Sequence, residues 1–278
     1  MTEPTPSITV AVDPTNPGQF FACCGLLELA DRLWPDAEGW FSESGKNFKI
    51  ACEGTLPKLL EAAQQLRILD ESTTDDEDTA DGDDDDGLLV PVEIVAPISL
   101  RLDWWANKSI KTWAGSMNVH RITEAMAGAV DPARTDPLQQ RQIVYDPPPP
   151  QVDGVRRSKS RKKREPFYFD SDRGPNAHSR DVGFSPNDLK LTTTASPAVE
   201  LLALVGLQRH RPMPTATRHE FDYFLWTTPL PIAVAPAAAC GMLADSNAPR
   251  FRFRNVFRSG QKKLKVFMPA ILTTPKGA

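Results

Sequence analysis

The sequence predicts an α+β fold built on a split βαβ module of the ferredoxin-like or RRM type, with long insertions and a basic β-hairpin at the C-terminal end. Three observations predict it. Short segments of alternating polarity flank a strongly apolar helical stretch near the N-terminus. The elements up to residue 106 run strand, helix, strand, strand, helix, strand, the order of a split βαβ module. Beyond it, proline-rich and charged runs separate short apolar segments, and the sequence closes on a strictly alternating Arg/Phe strand. This divides the chain into a module over 1–106, with an acidic insertion at 70–87, and a helical and β extension over 107–278. The extension contains a basic loop at 146–166 and a hairpin at 250–268.

The first strand is Ser7–Val12, where Ile8, Val10 and Val12 alternate with Thr9 and Ala11. Asn16 stands at an N-cap position, with Pro17 at the first helical position and Gln19 placed for a capping box. From Phe20 to Trp34 nearly every residue is apolar, and the exceptions Glu28, Asp31 and Arg32 share one narrow face. Such a helix has to pack on a sheet. Gly39–Glu43 and Asn47–Glu53 predict two strands joined by a Ser44-Gly45-Lys46 turn. Thr55 is the candidate cap of a second helix whose Leu56, Leu59, Leu60, Ala63 and Leu66 fall on one face. Leu88–Ile94 and Ile98–Trp105 complete the module as strands.

Charge is distributed unevenly. Eleven acids fall between Asp70 and Asp86 with no base among them; without them the formal net charge of −4 becomes +7. The acidic block reads as a solvated loop, or as a polyanion mimic shielding a basic surface, and the remainder is basic. The N-terminus lacks the basic region of a signal peptide. The longest apolar stretch, Leu230–Leu243, is broken by Pro231 and Pro236 and is too short to span a bilayer. Four cysteines without metal-ligand spacing fit a reduced cytoplasm, and no membrane association is expected.

The run from Asp13 to Ala30 (Asp-Pro-x-Asn-Pro-Gly-x-Phe-Phe-Ala-x-x-Gly-Leu-Leu-Glu-Leu-Ala) is followed by Gly39-Trp40-Phe41. With Arg180–Ser185, Ala198–Leu207 and Phe221–Leu230, these segments resemble a CRISPR-associated family, the large-subunit-like proteins of type I-G (formerly I-U) Cascade surveillance complexes. The resemblance implies a RAMP-like core and a non-catalytic ribonucleoprotein subunit in antiviral defence. Such a subunit binds crRNA, target DNA or both, beside other CRISPR-associated subunits and a helicase–nuclease effector, while guide pairing reads most of the target. A backbone-type crRNA-gripping subunit is the alternative within the family.

The residues supply candidate contacts independently. Asn107–Val130 reads as helical, but its apolar phase shifts between Ile110/Trp113/Met117 and Ile122/Met126/Ala129, which predicts a break near Gly115–Asn118. Lys108, Lys111 and Arg121 surround this bent segment, and Trp113 is a candidate for base stacking. After Pro147–Pro150, Arg156, Arg157, Lys159, Arg161, Lys162, Lys163 and Arg164 place seven bases in nine residues, a candidate phosphate-binding arm. Arg173 and Arg180 lie in a Gly/Pro/Asn-containing loop that also holds Asp170, Asp172, Asp181 and His178. The aspartates suit Mg²⁺, and His178 could act as the acid or base of metal-independent RNA cleavage. A crRNA-processing endoribonuclease is therefore the alternative of another class, although no nuclease motif orders these residues. No metal or cofactor is expected.

Ala198–Leu207 predicts a buried helix, while Phe221–Trp226 and Ile232–Val234 predict strands. His210 and His219 are expected at the surface. In the closing strand, alternation places Phe251 and Phe253 on one face and Arg250, Arg252 and Arg254 on the other. A turn at Ser259–Gln261 returns the chain through Lys263 and Lys265. A row of cations with no acid between them calls for an anionic partner. A third reading is an interaction protein whose acidic loop engages a basic partner.

Overall fold

The computed structural model describes residues 4–69, 91–106, 109–114, 117–147, 162–173, 194–243, 248–258 and 264–273. It is a mixed α+β fold with antiparallel sheets. β1 (Ile8–Ala11), β2 (Glu38–Phe41) and β3 (Asn47–Ala51) form one sheet in the order β1-β3-β2, extended at β2 by β9 (Leu230–Pro231). That order is the one a split βαβ module gives its first three strands. The strands after α2 (Leu56–Gln64) pair among themselves, β4 (Arg67–Ile68), β5 (Val92–Ala96) and β6 (Leu100–Leu102) forming a separate sheet. A third sheet has β10 (Arg250–Phe257) at its centre. β8 (Glu220–Phe224) and then β7 (Met213–Pro214) lie on one side, with β11 (Lys265–Phe267) and β12 (Ile271–Thr273) on the other.

Helix α1 (Pro17–Leu33) organises these layers. Asn16 caps it through Oδ1, which accepts from Gln19 N, while Gln19 Oε1 reaches back to Asp13 N at 2.8 Å. The reciprocal bond of the expected capping box is therefore made three residues upstream of the cap. Every residue from Pro17 to Ala30 is buried. Phe20 stacks on Tyr223 of β8 and on Phe41 of β2, and Phe21 meets Phe253 and Phe267 edge-on, so adjacent phenylalanines tie the helix to two sheets. Its remaining face is covered by α4 (Pro197–Gly206), which is buried along its whole length.

The two helices meet at backbone distance. A Cβ on Gly25 would lie 2.0 Å from Leu202 O, and one on Gly206 would lie 2.1 Å from Phe21 O. Both glycines are there because nothing larger fits. Sequence reading placed Gly206 near a helix end without seeing this crossing.

Other expectations change in three-dimensional context. Thr55 precedes α2 in extended conformation but makes no side-chain cap bond. Among the described residues of 107–130, helical structure is confined to α3 (Val119–Gly128), capped by Asn118; the helix expected over the first part of this stretch is absent from 109–114, and α3 starts where the apolar phase shifts. Ile232–Val234 is not a strand: it is a turn leading into α5 (Ala235–Ala239). His210 is fully buried, its ring parallel to Trp226, and burial lowers its pKa to about 3. Among the described residues no helix is long and apolar enough to cross a membrane. The acidic block at 70–86 lies outside the described residues.

The helix crossing sets a stability test. Gly206→Ala gains up to about 1 kcal/mol of helix propensity, but overpacking typically costs about 1–3 kcal/mol, more where backbone has to move. Urea unfolding is expected to show a net loss of about 2 kcal/mol, and Gly25→Ala a loss of the same order.

Candidate nucleic-acid interface

The Arg/Phe alternation of β10 holds: Phe251 and Phe253 are buried, and Arg254 is exposed. The arginine row is nonetheless not open. Arg252 lies opposite Asp222 on β8 and Arg254 opposite Glu220. Arg252 Nε donates to Asp222 Oδ1 at 2.8 Å, and Arg250 Nε to Asp222 Oδ2 at 2.9 Å. Arg252 also lies 3.5 Å from Glu220. Burial pushes the Asp222 carboxyl up, but hydrogen bonds from Arg252 and Arg250 outweigh it and hold the pKa below the ordinary value. The anionic partner that the strand alone called for is therefore a neighbouring strand of the same chain.

The returning strand is registered differently from the expectation as well. Lys265 faces Phe257 across the pair, and Phe257 has the parity of Phe251 and Phe253. Lys265 thus sits on the inner face, opposite to the arginines, and is buried. Lys263 lies outside the described residues.

It is at this end of the hairpin that cations gather. Asn255, buried and of the same parity, donates through Nδ2 to Ser109 O and Ile110 O, both at 3.0 Å. Lys265 N donates to Thr112 O at 2.7 Å. These bonds dock the 109–112 segment on the hairpin and bring Lys111 beside Lys265. Asn255 N donates to His219 O at 2.8 Å, which fixes the turn carrying Arg218 and His219. His219 holds φ = 61°, a left-handed conformation that strains a residue with a Cβ. Burial first, then Lys111 and Arg218, lower the Lys265 ammonium to about 8. Burial, Lys265 and Arg218 lower His219.

Beside this group, two guanidiniums lie over the Tyr168 ring, with Arg258 Cζ 3.5 Å and Arg173 Cζ 4.2 Å from its centroid. The two cations are thus within about 8 Å of each other, where like charges repel by roughly 2 kcal/mol or more at an effective dielectric constant of 20. Burial raises the Tyr168 hydroxyl to about 12, and that hydroxyl donates to Glu165.

The remaining predicted residues are dispersed. Arg121 is exposed on α3, and Lys162 and Lys163 are exposed where the 162–164 segment pairs with 144–146. Arg164 forms a two-pronged ion pair with Asp146, the second prong 2.7 Å long. Lys108, Arg156, Arg157, Lys159, Arg161 and Arg180 lie outside the described residues, as do His178 and Asp181. Trp113 is buried against Trp104, Trp105 and Phe167 and cannot stack on a base.

Asp170 and Asp172, read as candidate metal ligands, have structural partners. Asp170 Oδ1 accepts from Asn16 Nδ2 at 2.7 Å and Oδ2 from Ser196 Oγ at 2.6 Å; Asp172 pairs with Arg141. Glu200 accepts from Phe169 N and Asp170 N, and burial followed by Asp170 raises it to about 7. Among the described residues no group of three His, Cys, Asp or Glu is placed to hold a metal ion.

One further set of arginines, Arg32, Arg101 and Arg209, lines a recess of about 390 Å³. Glu28 bridges Arg32 and Arg209, and Arg101 lies between Glu93 and Asp103, so the recess is close to neutral. Arg218 and Arg258 were missed by sequence reading, as was Asn255. The signal for Asn255 was present: a polar residue at an inward position of an alternating strand. Comparison with family models, with curated proteins and with solved structures gave no match to this chain.

Two measurements test this electrostatic description. Asp222→Ala leaves the partly exposed Arg250 and Arg252 without their buried counter-ion and is expected to cost about 1–3 kcal/mol in chemical unfolding. Lys265 has a folded pKa of about 8 against an ordinary 10.5, so between these values the unfolded chain binds more protons. Stability is therefore expected to rise with pH across that window, by up to about 3 kcal/mol. In Lys265→Met this part of the pH dependence disappears.

Proposed function

We propose that the chain is a nucleic-acid-binding, non-catalytic subunit of a type I crRNA-guided surveillance complex in the cytoplasm. It holds crRNA or target DNA by phosphate contacts. The observation that carries the reading is the gathering of Lys111, Arg218 and Lys265 at one end of the β10–β11 hairpin. They come from three distant chain segments and are docked together through Asn255. Bringing like charges together while burying one of them opposes folding, and a polyanion reverses that penalty by supplying counter-charge and releasing its own counterions.

The resemblance supplies the context: partner CRISPR-associated subunits, a helicase–nuclease that docks on the assembled complex, and a ferredoxin-like, RAMP-type core. In that core, β1, α1, β2 and β3 are the first half of the split βαβ module. In this reading the exposed Arg121, Lys162, Lys163 and Arg254 and the basic run at 156–164 supply further, separate phosphate contacts.

Purifying the tagged protein from its host and sequencing the RNA bound to it tests the assignment. Repeat and spacer sequences are expected, and a random RNA population would sink it. With labelled repeat RNA or single-stranded DNA, log Kd is expected to vary linearly with log salt. The Lys111→Gln/Arg218→Gln variant should lower that slope by about 1.4, two contacts at about 0.7 each on a single strand. Cleavage of the RNA by the purified chain would replace the non-catalytic reading with the endoribonuclease.

A further inference from the structure

We infer that Arg173 and Arg258, both held on the Tyr168 ring, form a seat for one phosphodiester phosphate of the bound strand. The inference rests on the nucleic-acid reading above and adds to it the chemical group that is held and the residues that hold it.

Stacking on an aromatic ring occupies only the face of a guanidinium. Its N–H donors lie in the plane and project past the rim of the ring. Two guanidiniums held on one phenol ring therefore present two donor forks edge-on, within about 8 Å of each other. Here the forks are under-used. Arg173 Nη1 and Arg258 Nε are buried and have no hydrogen-bond partner, and the Arg173 side chain is only 10% exposed. The carboxylate beside Arg173, Glu165 Oε2, is 3.9 Å away, beyond hydrogen-bond range, and the same oxygen accepts from Tyr168. Burial pushes the Arg258 guanidinium pKa down, with Arg173 adding to the effect and Tyr168 and Glu165 opposing it.

Buried charged donors without acceptors are costly, and phosphate oxygens match the planar fork better than any other common anion except carboxylate. Backbone geometry points the same way. Tyr168 holds φ = 70°, a left-handed conformation that a bulky residue adopts only where its surroundings impose it. Its carbonyl accepts from Phe267 N at 3.2 Å, and this bond locks the ring beside the hairpin end. Tyr168 is buried with two guanidiniums over its ring, so it cannot stack on a base. The ligand is the backbone, not the base.

Anisotropy with a labelled poly(U) or poly(dT) oligonucleotide tests this, using Arg258→Gln and the charge-neutral Tyr168→Leu. Arg258→Gln is expected to weaken binding about tenfold and to lower the salt slope by about 0.7. Tyr168→Leu is expected to weaken it at unchanged net charge, an effect that electrostatics alone does not produce. Should Arg258→Gln fail to fold by circular dichroism, Arg258→Lys keeps the charge, removes the fork and is expected to weaken binding in its place. Wild-type affinity in either variant, with the parent binding normally, overturns the seat and leaves the wider reading standing. If the parent binds no oligonucleotide, the wider reading falls and inorganic phosphate decides the seat. A thermal upshift that is lost in Arg258→Gln keeps it as a free-phosphate site, and no upshift overturns it too.

Discussion

The backbone-to-backbone contact of α1 with α4 is the constraint on which the rest of the molecule depends. Because Gly25 and Gly206 let the helices touch at backbone distance, α1 has no side solvated for most of its length. Its two phenylalanines then serve two different sheets, the first through Phe41 and the third through Tyr223, Phe253 and Phe267. The same contact sets the N-terminal end of α4, with Ser196 and Glu200, against the start of α1. Between them lies the 167–173 segment, tied by Asp170 to Asn16 and Ser196 and by Glu200 to the Phe169 and Asp170 amides. That segment positions Tyr168 and Arg173. The candidate phosphate seat thus follows from a packing decision made far from it, at two glycines.

What the sequence makes legible is what depends on neighbours a few residues away. The cap at Asn16, the extent of α1, the Ser44–Lys46 turn and the inward phenylalanines of β10 all follow from local periodicity and turn chemistry. The start of α3 at Asn118 falls where the apolar phase shifts, but the helix expected before it is absent from 109–114. What stays hidden depends on partners chosen by the sheet. Nothing near Arg252 announces Asp222, because the pairing of β8 with β10 joins distant parts of the chain. Nothing near Lys265 announces its inward parity, because a one-residue change of register in a hairpin reverses every face. His210 and Trp113 were misplaced for the same reason: each carries a polar atom or a flanking charge suited to the surface, and each is enclosed by aromatic residues from other elements.

The site was legible only in outline. Lys111 and Lys265 do meet at one end of β10, yet the arginine row that looked most suited to an anion is held by Asp222 and Glu220. Asn255, which assembles the cluster, is a single polar residue in a strand whose chemistry seemed to lie in its arginines.

Energetics separates the two ends of that strand. Along Arg250 and Arg252 each guanidinium already has a buried carboxylate, so a phosphate arriving there must displace an ion pair to make one, with little net gain. At the other end, burial opposes the charge on Lys265 and Arg258, and the donors of Arg173 and Arg258 are incompletely used. A phosphate there supplies the missing acceptors, offsets the repulsion between cations and favours the protonated form of Lys265. Folding tolerates this strained corner because the aromatic core around Phe20, Phe21 and Tyr223 is extensive enough to hold it. A site that destabilises the free protein and is relieved by its ligand is the pattern expected where function, and not stability, has set the residues.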